Sequence, residues 1–136
     1  MITHDRPVKF EDVDAAGVVF FARFSTYAHD AMERLFDGLP GGYAALVMER
    51  HVGFPAVHVA TDFKAPLRYG DRARITATVL KLGTTSCHLQ FAFTRARDGV
   101  TAATAAHVHV CTNLVTMTKL PYPEDVRAAL EAHLAR

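Results

Sequence analysis

The residues best suited to chemistry stand in one short run, Phe10-Glu11-Asp12-Val13-Asp14-Ala15-Ala16-Gly17-Val18-Val19-Phe20-Phe21. It joins a strand end, three acidic side chains, a turn of small residues and the start of an aromatic helix. A helix start leaves backbone N–H groups without partners and carries a partial positive charge, so it can polarise a carbonyl oxygen that acquires negative charge. A carboxylate beside it can attack the carbonyl carbon or take a proton from an attacking water. Asp12 and Asp14 also fit a plainer role as caps that accept backbone N–H bonds.

Other chemistry-bearing residues are sparser. His107-Val108-His109 sets two imidazoles on one face of a strand, a spacing that metal-dependent β-barrel enzymes use. No carboxylate follows them within the strand, and a long early helix suits such a barrel poorly. His29 and Glu33 lie four apart on the polar face of a helix, where such pairs usually only support the helix. Cys87 and Cys111 are the two cysteines, and no base is evident beside either, so buried thiols are expected rather than a nucleophile or a disulfide.

These residues must be positioned by a small set of elements. Phe20, Phe21, Phe24, Tyr27, Ala28, Ala31, Met32 and Leu35 recur at three-and-four spacing, which predicts a helix over residues 19–36 with Gly38, Pro40, Gly41 and Gly42 ending it. From His51 the period changes to two, predicting strands at about 57–63, 72–82, 87–96 and 100–118 joined by short turns, with a short strand at 8–10 ahead of the helix. Residues 123–136 read as a second, peripheral helix. Strand, helix, then four strands predicts an α+β domain in which one long helix is covered by a curved five-stranded antiparallel sheet.

The run Asp14-Ala15-Ala16-Gly17-Val18-Val19-Phe20-Phe21 resembles the signature of the 4-hydroxybenzoyl-CoA thioesterase group of hotdog-fold proteins. The likeness continues through Val47-Met48-Glu49-Arg50, Gly53-Phe54-Pro55, the turn from Pro66 to Asp71 and the turn Gly83-Thr84-Thr85-Ser86, and so covers residues 6–118. The Asp-Ala-Ala-Gly-Val-Val stretch followed by aromatics is especially similar to dihydroxynaphthoyl-CoA thioesterases. The Tol-Pal-associated branch, with a histidine where Phe21 stands, is a poorer match.

The resemblance implies hydrolysis of an acyl-CoA thioester, by analogy an aromatic one. Asp14 would be the catalytic carboxylate, as nucleophile or general base, with Gly17 in its turn and the Phe21 backbone N–H polarising the carbonyl. Phe20, Phe24 and Tyr27 are candidate acyl contacts, although aromatic stripes on helices are more often core. It further implies a homodimer with a continuous sheet, commonly paired into a tetramer, which makes Thr61 and Asp62 candidate contributions from a neighbouring copy. The basic cluster that this branch carries after its second strand is absent here. CoA phosphates would then fall to Lys81, Arg68 or Lys64, or to the hydroxyls of Thr84 and Thr85. A hotdog domain that binds acyl-CoA without catalysis is the alternative, because fold does not fix function.

Composition narrows the classes further. The 136 residues fit one domain, 1–136, and 50% hydrophobic with 21% charged residues is a globular balance. A net charge of +1 offers no field for a nucleic acid. No stretch approaches the ~20 apolar residues that cross a bilayer, and no signal segment is evident, which predicts a cytoplasmic protein without a membrane partner. The chemistry proposed for Asp14 requires no cofactor and no metal.

Overall fold

The period-two stretches do form a sheet. In the computed structural model, which describes residues 1–135, the chain runs β1 (Ile2–Pro7), a 3-10 turn (Phe10–Asp12), α1 (Arg23–Arg34), α2 (Gly42–Met48), β2 (Val52–Gly53) and β3 (Ala56–Phe63). It continues through β4 (Arg72–Leu82), β5 (Ser86–Arg95), β6 (Thr101–Val110), β7 (Thr112–Asn113) and β8 (Thr118–Lys119) to α3 (Glu124–Glu131). Five strands pair antiparallel in the order β1-β4-β5-β6-β3, while β2, β7 and β8 make a small second sheet. Hence β1 and β3 are the two edges of the main sheet.

Alternation decides which face is buried. Ala73, Ile75, Ala77 and Val79 of β4 are fully buried, as are Phe91 and Phe93 of β5, and they form one surface with Ala103 and Ala105 of β6. Helix α1 lies against that surface and turns Phe24, Tyr27, Ala28, Ala31 and Met32 into it. The alanines on both sides let helix and sheet approach closely, and each large side chain buried there contributes roughly 1.5–3 kcal/mol. This arrangement agrees with the hotdog resemblance. Among the described residues no helix is long and apolar enough to cross a membrane.

Several predicted boundaries move. The helix begins at Arg23 rather than Val19, because Val18 and Val19 are held in bridges to Arg68 and Val13 and the Phe20 N–H donates to the Asp12 carbonyl. The first strand is Ile2–Pro7, not residues 8–10, which lead into the 3-10 turn. Its alternation of half-buried and exposed residues rests on Ile2, His4 and Arg6, which carry little hydrophobic signal. Gly41 and Gly42 do not only end a helix: Gly41, with φ +76°, starts the short α2. The expected strand over 100–118 stops at Val110, where the Cys111 N–H turns away to the Thr85 carbonyl. The predicted C-terminal helix is the shorter α3, and Arg136 lies outside the described residues.

Candidate active site

The junction between the 3-10 turn and α1 separates its two aspartates sharply. Asp12 is fully buried: its carboxylate accepts hydrogen bonds from the Tyr27 hydroxyl at 2.9 Å and the Lys9 N–H at 3.0 Å, and Arg6 Nη2 stands at 3.5 Å. Arg6 in turn donates to Asp30 at 2.6 Å and lies over the Tyr27 ring. Burial, then the bond to Asp12, pushes the Tyr27 hydroxyl well above its ordinary range. A buried charge held by this many partners is a strut between β1, the turn and α1.

Asp14 stands two residues on and is exposed. Its backbone closes a tight turn, with the Asp14 N–H donating to the Val18 carbonyl at 2.9 Å and the Gly17 N–H donating to the Asp14 carbonyl at 2.9 Å. Gly17 has φ +78°, a conformation that costs other residues about 1–2 kcal/mol. One carboxylate oxygen, Oδ1, accepts the Ala16 N–H at 2.8 Å, while Oδ2 has no partner among the described residues. Across the turn the Phe21 and Ala22 N–H groups, at the foot of α1, also have no acceptor among the described residues, whereas the Phe20 and Arg23 N–H groups are taken by the Asp12 and Phe20 carbonyls. An open carboxylate and free backbone donors thus lie to either side of the lip, the turn that the Val13–Val19 bridge closes.

The other predicted residues divide. Phe20 and Phe21 are exposed, with ring centroids 4.6 Å apart. Phe24 is buried and meets Phe63 and Phe93 edge-on at 5.2 Å each. Phe21, Phe24, Phe63, Lys64 and Pro66 line a hollow of about 290 Å³ beside the lip. Tyr27 has no exposed surface and its hydroxyl is occupied by Asp12, so it serves the core and not an acyl contact. Thr61 and Asp62 lie on the edge strand β3, half-buried and exposed respectively.

The candidate CoA contacts are not brought together within one chain. Arg68 is bridged to Val18 and Lys64 lines the hollow, so both stand by the lip. Lys81, Thr84 and Thr85 sit at the far end of the 11-residue β4, about 30 Å away at the usual rise per residue. A hollow there, about 450 Å³, includes Thr84, Tyr122 and Arg127. Arg127 donates to the Gly83 carbonyl at 3.0 Å, and its place at that turn could not be foreseen from a helix 40 residues downstream.

A feature that the sequence suggested only as a metal rival takes another form. His107 and His109 share the inner face of β6 and line a mostly apolar hollow of about 460 Å³ with Ala28, Phe54 and Val59. They bond to each other, and His109 bonds to the Phe54 carbonyl. Among the described residues no third histidine, cysteine or carboxylate joins them as a metal-holding group. Successive positions at the foot of α1 and along it (Phe21, Phe24, then Ala28) and along β3 (Phe63, then Val59) line the two hollows, so both lie in the groove between α1 and β3. His29 reaches Glu33 only at 3.9 Å, with both side chains about half exposed. Burial pushes the Cys87 thiol up to about 12 and that of Cys111 up to about 11, which keeps both as thiols rather than reactive thiolates.

Comparison with known proteins fits this geometry. The family described as the thioesterase-like superfamily matches residues 8–130. A 1,4-dihydroxy-2-naphthoyl-CoA hydrolase of Nostoc punctiforme is 31% identical over 96% of this chain and 87% of its own length. A 1,4-dihydroxy-2-naphthoyl-CoA thioesterase from Synechocystis superposes with TM-score 0.83 at 28% identity, covering 94% of this chain and 93% of that one. A gentisyl-coenzyme A thioesterase superposes with TM-score 0.82 at 28% identity, covering 93% and 99%.

Proposed function

The chain belongs to the thioesterase-like superfamily, and from that premise we propose that it hydrolyses an aromatic acyl-CoA thioester with Asp14 as the catalytic carboxylate. The observation that supports this reading is that the turn ahead of α1 leaves both an Asp14 carboxylate oxygen and the Phe21 N–H without a partner among the described residues. The Phe21 N–H receives the thioester oxygen and strengthens its bond as negative charge develops there. Asp14 either attacks the carbonyl carbon, expelling CoA as thiolate and leaving an anhydride that water cleaves, or takes the proton of a water that attacks directly. Gly17 lets the turn close so that the carboxylate stays at the lip. The acyl group enters the groove between α1 and β3 past Phe20 and Phe24, and Lys64 and Arg68 meet the CoA phosphates. The relatives named above act on hydroxylated aromatic acyl groups, which supports an aromatic acyl preference.

The groove is completed by a second copy. Among the described residues strand β3 pairs on one side only, with β6, and it carries exposed Val57, Val59 and Phe63. An unpaired apolar edge of this kind suits pairing with itself across a two-fold axis, which brings Thr61, Asp62 and the distant Lys81, Thr84 and Thr85 from the partner side into range. The test is thiol release from a panel of aroyl- and fatty acyl-CoAs, with the mass of the active species measured in the same preparation. The proposal expects turnover that favours aroyl-CoAs from a dimer or tetramer. A panel left intact would reduce the protein to a binder, and an active monomer would remove the shared groove.

A further inference from the structure

The histidine pair in the groove fixes a hydrogen-bond direction. His107 and His109 are 6% and 5% exposed. Burial, then the neighbouring His109 and His58, lowers His107 to about 4, and burial also lowers His109 against the opposing pull of its Phe54 bond. Both rings are therefore neutral near pH 7, with one N–H each. His109 Nδ1 lies 2.7 Å from the Phe54 carbonyl oxygen. A carbonyl only accepts, so Nδ1 carries the hydrogen and Nε2 of the same ring is a lone pair. His107 Nδ1, 3.4 Å from that Nε2, must then be the donor, which leaves His107 Nε2 as a lone pair too.

That last nitrogen has no donor among the described residues. Every sealed side-chain nitrogen or oxygen among them has a partner, so an unpartnered Nε2 opens on the hollow that His107 lines. Most of the surrounding wall is apolar, through Ala28, Val47, Phe54, Val59 and Leu114. Tyr43 spends its acceptor side on the Phe54 N–H at 2.9 Å, and Ser25 and His29 stand on the exposed side. The inner wall thus presents a fixed acceptor in a largely apolar hollow whose volume of about 460 Å³ lies in the range of ligand sites.

We propose that this hollow is the inner acyl chamber and that His107 Nε2 accepts a hydrogen bond from an O–H or N–H on the distal part of the acyl ring. His109 is a positioning residue that holds His107 in the accepting tautomer. Resting on the thioesterase reading above, the inference makes the substrate class an aroyl-CoA with a ring donor, favoured over the same ring carrying an ether or hydrogen. A site built to meet a substrate hydroxyl rejects the analogue without it more strongly than apolar fit alone can.

The experiment compares kcat/KM for 3- and 4-hydroxybenzoyl-CoA with the matching methoxy compounds and with benzoyl-CoA. For the position that reaches His107, the hydroxy compound should be favoured over its methyl ether by about tenfold or more. His107→Phe should bring that ratio to within about twofold, and His109→Phe should weaken the ratio by freeing the His107 tautomer. A ratio near one in the unaltered protein, or one that survives His107→Phe, overturns the proposal. Should the variants not fold, nitrogen NMR of the unaltered protein decides: the proposal requires Nδ1–H on both rings, and Nε2–H on His107 overturns it. A second arm needs no turnover, titrating 2-naphthol against 2-methoxynaphthalene while following His107 Nε2. A shift with 2-naphthol alone supports the chamber even if no thioester is cleaved, and equal responses to both overturn it.

Discussion

The floor and the lip of the strand-to-helix junction use the same residue type two positions apart, for opposite ends. At the floor, Asp12 is sealed from water and held by Tyr27, Lys9 and Arg6. At the lip, Asp14 is exposed and spends one oxygen on the Ala16 N–H of its own turn. A carboxylate tied down by a phenol, an amide and a guanidinium cannot approach a substrate, and its removal strands those partners. A carboxylate that bonds only to a local turn gives up little to reach a reacting carbon. The difference teaches that the acidic residue nearer the core anchors the helix start, on which the role proposed for the Phe21 N–H depends.

This contrast can be broken by substitutions ordered by their cost to folding. Asp12→Ala should be the most damaging, lowering unfolding stability by about 3 kcal/mol or more, because the Tyr27 hydroxyl and Arg6 lose a buried counter-group. Urea unfolding measures this, and a loss below about 1 kcal/mol would mean that the floor does not hold the junction. Tyr27→Phe should cost less, about 1–2 kcal/mol, since Asp12 keeps the Lys9 N–H and Arg6. Stability equal to the unaltered protein would show that the hydroxyl contributes nothing to the strut.

Much of this arrangement was legible in the sequence, and the exceptions have physical causes. The helix face from Phe24 to Leu35, the strands around Ile75 and Phe91, and the shared face of His107 and His109 follow from periodicity, since burial on one side writes itself into spacing. The Asp14 to Gly17 turn was legible from its small residues. The distinction between Asp12 and Asp14 was not, because it depends on Arg6 and Tyr27 arriving from two other elements. Strand β1 escaped because an edge strand filled by Thr3, His4, Asp5 and Arg6 has no apolar alternation. Helix α2 escaped because it is short and opens on two glycines that read as breakers. The hollow beside His107 and His109 escaped because it is made by what α1, α2, β2, β3 and β6 together fail to fill, which no local pattern records.

The smallest change in stability should accompany the largest change in rate. Asp14→Asn keeps an oxygen for the Ala16 N–H and keeps the turn, so unfolding stability should stay within about 0.5 kcal/mol. The same substitution removes the nucleophile or base, so kcat on the best aroyl-CoA should fall by roughly 10²-fold or more. Steady-state thiol release by Asp14→Asn beside the unaltered protein, with thermal unfolding of both, is therefore the most direct measurement. A folded variant with kcat lowered by that factor is the predicted result, and a folded variant at full kcat would contradict the assignment of Asp14 as the catalytic carboxylate.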